Sequence, residues 1–453
     1  MKRRRRISFG SIAMVLIACI TLSSAFSVIL TIRKDEGDLA MDAEKLFQSV
    51  GGLITMSRRH IAEDFSTLPQ TTNESTGTTV YPQSVQASSS SMPEHSVSQS
   101  VATPPPAMSN KHSLSLTFGG LIALESAVQA GIPRGEGGVY RYSELLGGIS
   151  SAVHADMNIA VLDTLFTSDK TVSRDLFASA DCIQTITAAG FDTLMLCTED
   201  ALAGGRQVVS ETLQTLSANG IISSGLYLPE TANNFDLIQV NGIHVALLSY
   251  TDSLSSYSRK AVQDVEMQQK MIHLFDQQQA LKDIAAAKAS GAQVILVFMN
   301  WGDAAATEST SSQQAIAQAL CDGGADILLG YNSCHVQPVD MLTSSVDPSH
   351  RMITVWSLGT LLAEDRSSRG SVSGALLHVQ LSYDMRNNTL SFDSVEYTPT
   401  YIWRQEERGS YPYRVVRSDQ SVPEGMIQKQ REILARALVL IQSTMNKGIA
   451  VQR

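Results

Sequence analysis

Between Leu114 and Leu358 short apolar runs alternate with helical stretches, and that alternation restricts the chain to folds in which helices cover a largely parallel sheet. The strand-like runs are Leu114–Phe118, Asn158–Leu162, Thr193–Cys197, Val294–Asn300, Asp326–Leu329 and Ile353–Leu358. Helical spacing marks Asp175–Ala189, Arg206–Ala218, Gln278–Ser290 and Gln313–Cys321. Asn241-Gly242 separates Leu237–Val240 from Ile243–Tyr250, and both residue types tolerate the positive φ of a two-residue hairpin turn, so one antiparallel pair is expected. Later runs, Ala375–Ser382 and Leu390–Tyr397, favour mixed or paired sheets over a single doubly wound one. A last helix is predicted from Glu424 to about Met445, with Ile427, Ile433, Leu434, Ala437, Leu438 and Ile441 on its apolar face.

The ends differ in composition. Phe9 to Ile32 are 24 residues without a charge, and at about 1.5 Å each they span the roughly 30 Å hydrocarbon core of a bilayer. Residues 1–34 are therefore expected to form a basic start and a transmembrane signal anchor. Lys2 to Arg6 outweigh Arg33 and Lys34, which puts the N-terminus in the cytoplasm and the body outside the cell membrane. Cleavage near Ser23, Ser24 and Ala25, or at a lipoprotein-type Leu16 to Cys19, is the alternative; the length of the apolar run favours a retained anchor. Residues 35–69 form a juxtamembrane segment with Leu39, Ala43, Leu46 and Phe47 at helical spacing. Residues 70–111 read as a disordered linker: 16 of the 41 residues from Gln70 to Asn110 are Ser or Thr, and Pro104 to Pro106 stiffen it. The main domain is placed at 112–402, with a C-terminal extension at 403–453.

Without the seven basic residues of the first 34, 27 Lys and Arg face 44 Asp and Glu. An acidic body of this kind repels phosphate backbones, which excludes nucleic acid as a partner. Cys182, Cys197, Cys321 and Cys334 show no zinc-site spacing, although an oxidising exterior permits a Cys182–Cys197 disulfide. There is no GxSxG elbow and no HExxH helix, and the glycines at 135–138 match neither a phosphate loop nor a dinucleotide fingerprint.

Five stretches met in order carry a resemblance: LTFGGLIAL at Leu116–Leu124, ADMNIAVLD at Ala155–Asp163, AGFDTLMLCTEDAL at Ala189–Leu202, VILVFMNWG at Val294–Gly302 and GADILLGYNSCHVQP at Gly324–Pro338. Together with Trp356–Gly359 followed by Thr360, they resemble the CapA family of poly-γ-glutamate capsule biosynthesis, over residues 112 to 400. The resemblance implies a layered α/β/β/α metallophosphoesterase-like domain with mixed sheets. In such folds acids, histidines and amides at strand ends hold two metal ions.

Several of those residue types are exchanged here. The family's Gly-Asp is Gly120-Leu121, its Asn-Leu-Glu is Val161-Leu162-Asp163, and its Asn-Asn-His is Thr198-Glu199-Asp200. His-Trp-Gly becomes Asn300-Trp301-Gly302, and Gly-x-His-Pro-His becomes Gly330 to Cys334 with His335 one place beyond. Candidate catalytic residues are accordingly Asp163, Glu199, Asp200, Asn300 and His335, with Asn332 added as a metal ligand. Two functions follow. One is a non-catalytic envelope protein that works on an anionic surface polymer or with envelope biosynthesis proteins, without a cofactor. The other is a hydrolase or transferase with a rebuilt acidic site, in which Asp163, Glu199 and Asp200 hold one Mg²⁺ or Mn²⁺. Glu199-Asp200 is equally an ordinary helix start. Trp301 is expected to pack at a strand end. Cys334 and His335, adjacent in a strand, are expected on opposite faces, which leaves the thiol without a base.

Overall fold

The computed structural model describes residues 110–169, 175–364, 371–405 and 411–450. The expected anchor, the juxtamembrane segment and nearly all of the linker lie outside the described residues. No described helix is long and apolar enough to cross a membrane.

In chain order the strands begin with β1 (Lys111–Ile122), β2 (Met157–Leu162), β3 (Leu165–Phe166), β4 (Phe177–Ala178), β5 (Thr193–Met195), β6 (Ile222–Ser224), β7 (Asp236–Val240) and β8 (Ile243–Thr251). They continue with β9 (Val294–Asn300), β10 (Ile327–Tyr331), β11 (Val339–Thr343), β12 (Arg351–Val355), β13 (Thr360–Leu362), β14 (Ser373–Asp384), β15 (Thr389–Arg404) and β16 (Tyr413–Arg417). The helices are α1 (Ser126–Ala130), α2 (Ile183–Thr187), α3 (Gly205–Ala218), α4 (Ser256–Ala261), α5 (Val265–Met271), α6 (Gln277–Ala289), α7 (Ser311–Gly323) and α8 (Gln428–Ala450).

Two mixed sheets result. The first runs β16-β15-β14-β1-β2-β5-β6, with β13 also pairing β1; the second runs β11-β12-β10-β9-β8-β7. Strands β1, β2, β5 and β6 are parallel to one another, as are β8, β9, β10 and β12. Strands buried on both faces read as unbroken apolar runs, which is why β2 and β9 show little alternation. Successive side chains still point to opposite faces. Leu114, Leu116 and Phe118 of β1 join Val245, Leu247, Leu296, Phe298 and Leu329 in the core between the sheets. Ala246, Leu248, Ile295 and Val297 face the other way, against Ile284 and Ala287 of α6 and Leu320 of α7. On the far side of the first sheet, Ala160, Leu162 and Leu194 pack with Ile186 of α2 and Val209 and Leu216 of α3. The layers are thus helix, sheet, sheet, helix. At about 1.5–3 kcal/mol for each large side chain buried, these three apolar layers dominate the folding free energy.

The hairpin forms at Asn241-Gly242, with φ of 51° and 80° and Val240 paired to Ile243. Asp175–Ala189 departs from the helical expectation: Phe177–Ala178 pairs with Leu165–Phe166, and only Ile183–Thr187 is α-helical. Burying Phe177 beside a waiting strand outranks local spacing. Helix α8 starts at Gln428, so Ile427 precedes it and is 61% exposed, while Leu434, Ala437, Leu438 and Ile441 are buried. Ile441 and Met445 reach the core between the sheets. The Cys182–Cys197 disulfide does not form. The Cys197 thiol faces the His273 carbonyl at 3.8 Å and that of Cys182 faces Ser179 Oγ at 3.6 Å.

Candidate functional site

The parallel strands of both sheets end on one rim, where α/β folds present ligand-binding side chains. The sheets are tied there: Tyr331, last residue of β10, donates its hydroxyl to the carbonyl of Cys197, just past β5. The approach of the strands also explains Gly120. Strand β1 bulges between Phe118 and Leu121, Leu121 N donates to Gly359 O at 3.2 Å, and a Cβ on Gly120 would lie 2.1 Å from that same oxygen.

Asp163 follows β2, its backbone N–H held by Ile122 O at 2.9 Å. It lines a small recess with Thr198, Asp200, Leu165, Leu176 and Leu196, with about 10 Å³ of free volume, the room one water needs. Asp163 Oδ1 and Asp200 Oδ1 are buried without a hydrogen-bond partner. Burial pushes the Asp163 carboxyl up to about 6; the neighbouring charges of Asp200 and Glu199 add to the rise, and a hydrogen bond with Thr198 opposes it. Glu199 is also raised, first by burial, then by Asp200 and Asp252, with Arg259 acting against it. Its backbone carbonyl receives Ser255 N at 2.9 Å and Ser258 Oγ at 2.8 Å, which fixes the turn. This acidic pair does not open a helix. Helix α3 begins at Gly205 with no acid in its first turn.

The other candidates serve the loops. Asn300 closes β9 with its amide donating to Thr251 Oγ1 at 3.0 Å, and it is 3% exposed. Asn332, at φ 104°, donates Nδ2 to Gly302 O at 2.7 Å; asparagine tolerates such a backbone better than most residues. Residues 332–335 form a bend rather than a strand, so strand alternation does not separate Cys334 from His335. Cys334 N binds Ala304 O at 2.9 Å, and His335 N binds Ser333 Oγ at 3.1 Å. Trp301 packs at its strand end, stacked on Trp356 at 6.0 Å. Only Asp163 and Asp200, of the six candidates, line the recess.

The donor set does not fit a two-ion centre. Leu121 and Val161 offer no ligand atom, and both pack in the core between the sheets. Asn300 and Asn332 donate Nδ2 to Thr251 Oγ1 and Gly302 O, which leaves each with only a neutral amide oxygen to offer, and among the described residues no group of three His, Cys, Asp or Glu is arranged to hold a metal ion. Three residues at this rim escape a search for acidic, histidine and amide ligands: Thr198, Tyr331 and Arg259. Thr198 and Tyr331 stand directly after apolar runs inside the motif stretches, and position is the signal that finds them.

The sequence matches the family described as "Bacterial capsule synthesis protein PGA_cap" over residues 115–365. The capsule biosynthesis protein CapA of Bacillus anthracis is 23% identical over 221 residues, 47% of this chain and 49% of that protein. The PGA biosynthesis protein CapA of Bacillus subtilis (strain 168) is 22% identical over 230 residues, 50% and 57% respectively. The chain thus spans about half the length of these curated relatives. Among solved structures, the Haemophilus influenzae NAD nucleotidase has a TM-score of 0.41 at 10% identity, covering 74% of this chain and 61% of that one. The calcineurin-like phosphoesterase YfkN from Bacillus subtilis has a TM-score of 0.36 at 10% identity, covering 76% and 100%. With more than half of its length matched, and with the motif stretches set at the strand ends described above, the chain belongs to the bacterial capsule synthesis (PGA_cap) family.

Proposed function

We propose that the protein is a membrane-anchored, extracytoplasmic component of capsule or cell-surface polymer biosynthesis, with poly-γ-glutamate the leading polymer, and that it works without metal-dependent catalysis. The observation that carries this reading is the exchange of donors within an intact scaffold: Gly120, which admits the Gly359 carbonyl, is kept, while the adjacent position is Leu121 and Val161 fills another. A polar site is costly to keep once its ligand is gone, and replacing donors by packed apolar groups removes that cost. The uncharged run from Phe9 to Ile32 supports the anchor.

A second reading has an observation of its own. The orphaned oxygens of Asp163 and Asp200 share one recess, which suits a rebuilt acidic site holding a single divalent ion with Glu199. One experiment separates the two. Cells carrying the Asp163→Asn, Glu199→Gln, Asp200→Asn triple variant should make capsule polymer in normal amount, with the protein in the membrane fraction. Elemental mass spectrometry of the wild-type protein, dialysed against Mg²⁺ and then Mn²⁺, should find substoichiometric metal. Capsule loss with a folded variant, or stoichiometric metal that the variant lacks, would sink the non-catalytic reading.

A further inference from the structure

Residues 252–272 leave the second sheet and return to the residue they left. Strand β8 ends at Thr251, whose N–H donates to His273 O at 3.0 Å and whose carbonyl receives Phe275 N at 2.8 Å, while Leu274 pairs with it in an isolated bridge. That closed neck makes the intervening helices α4 and α5 a strap. Its apolar side, Leu254, Val262, Met271 and Ile272, packs with Leu202 and Val208 on the helical side of the first sheet. Fully buried Ser258 fastens it: the hydroxyl accepts Leu202 N at 3.2 Å and donates to Glu199 O at 2.8 Å, so one side chain holds both ends of the acidic turn. A strap rooted in one sheet thus clamps the candidate residues of the other.

We propose that this strap is a pH-sensitive gate, released from the Glu199–Asp200 turn when the His273 imidazole takes up a proton. His273 stands at the neck, its ring 5.5 Å from that of Tyr227 and 6.1 Å from that of Tyr250. Its Nδ1 is buried without a hydrogen-bond partner among the described residues. An imidazolium donates from both nitrogens, so in the closed neck one N–H of the cation goes unmet. The acids that face it are already engaged. Asp283 of α6 accepts from Tyr250 Oη at 2.9 Å, Asn234 Nδ2 at 2.9 Å and Gln279 Nε2 at 2.8 Å, and Asp236 of β7 accepts from Tyr227 Oη at 2.8 Å. Cys197, the other titratable group here, meets only the His273 carbonyl. Burial accordingly holds His273 below its ordinary range, opposed by Asp283, the backbone of Ser249, Asp236 and the backbone of Asn233. Opening the neck admits water and restores the ordinary value. Above about pH 6.5 both forms are neutral and pH does not bias the strap; as pH falls below it the open form is protonated first and gains population.

The test is hydrogen–deuterium exchange of the full-length protein at pH 7.5 and pH 5.0, corrected for the intrinsic pH dependence of amide exchange, with the amides of β9 as internal reference. Exchange within 252–272 is expected to rise about threefold or more at pH 5.0 while β9 stays protected. His273→Gln has no charge to gain there and should exchange alike at both pH values. Asp236→Asn keeps an acceptor for Tyr227 and removes a carboxylate that favours the imidazolium, so its rise at pH 5.0 should exceed that of wild type. Equal strap exchange at the two pH values in wild type would overturn the proposal. Acid loosening of β9 together with the strap would do the same, since it reports global unfolding, and so would an acid-dependent rise that survives in folded His273→Gln. If His273→Gln does not fold, Asp236→Asn decides in its place, and a rise no larger than that of wild type sinks the gate.

Discussion

The rim of the first sheet holds two kinds of carboxylate within a few strands of each other. At the end of β2, Asp163 lies among acids, with one oxygen buried and unpartnered and its pKa raised to about 6. Beside β16, Glu144 lies between Arg141 and Arg414 at 2.8 and 2.5 Å. The first is strained by its surroundings and the second is satisfied by them. Strain of this kind is what functional sites carry, so the β2 end keeps the electrostatic mark of a site although its ligand pattern is broken. The β16 end holds a carboxylate whose charge is met from both sides.

The largest effect should come from the scaffold that sets the acidic end. In Gly120→Ala the new Cβ would sit 2.1 Å from the Gly359 oxygen, a backbone atom that cannot swing aside, so β1 and the 358–360 segment must part. A loss of about 4 kcal/mol or more is expected, read as insoluble expression or a large fall in the denaturation midpoint. A mild effect would mean that the rim is plastic, and the contrast between its two ends would then be a matter of loop position rather than fixed geometry.

Asp163→Asn should act in the opposite direction. An acid whose folded-state pKa is raised favours folding while it is protonated, and that advantage is lost as pH rises through its folded value. Near pH 3 both folded and unfolded chains hold the proton and the variant should match wild type. Above about pH 6 the wild-type carboxylate is charged in a site that disfavours it, and the amide should gain about 3 kcal/mol. Unfolding midpoints at pH 3 and pH 7.5 provide the measurement. Destabilisation at pH 7.5 would mean that the native carboxylate is compensated by a bound cation, which favours the rebuilt acidic site.

These residues also mark what the sequence could and could not disclose. The strand Val294–Asn300 and the Asn241-Gly242 turn were legible because a long apolar run and a positive-φ pair are local signals. Asp163 was legible only through the resemblance, as the acid that stands where the family's Asn-Leu-Glu ends. Phe177 was not, since its partner β3 is distant in pattern though near in space. Asn300 and Asn332 stand where the family motif has ligands, but the Nδ2 contacts that orient them, to Thr251 and Gly302, are ones no spacing reveals. The Glu144–Arg414 ion pair was hidden for the same reason: its partners meet only after residues far apart in the chain fold together.

The smallest effect sharpens the comparison most, because it applies the same chemical change at the other end. Glu144→Gln removes a carboxylate that is 19% exposed and shared by two arginines. Partial exposure keeps the cost to about 1 kcal/mol, from one lost charge-assisted pair and a guanidinium left less ordered. Neutralising a carboxylate should thus destabilise at β16 and stabilise at β2, and high salt should shrink the first effect more than the second, because the Glu144 pairs are open to solvent ions. Denaturation midpoints of both variants at low and high salt test the signs. A neutral Glu144→Gln would mean that Glu144 does not organise Arg414.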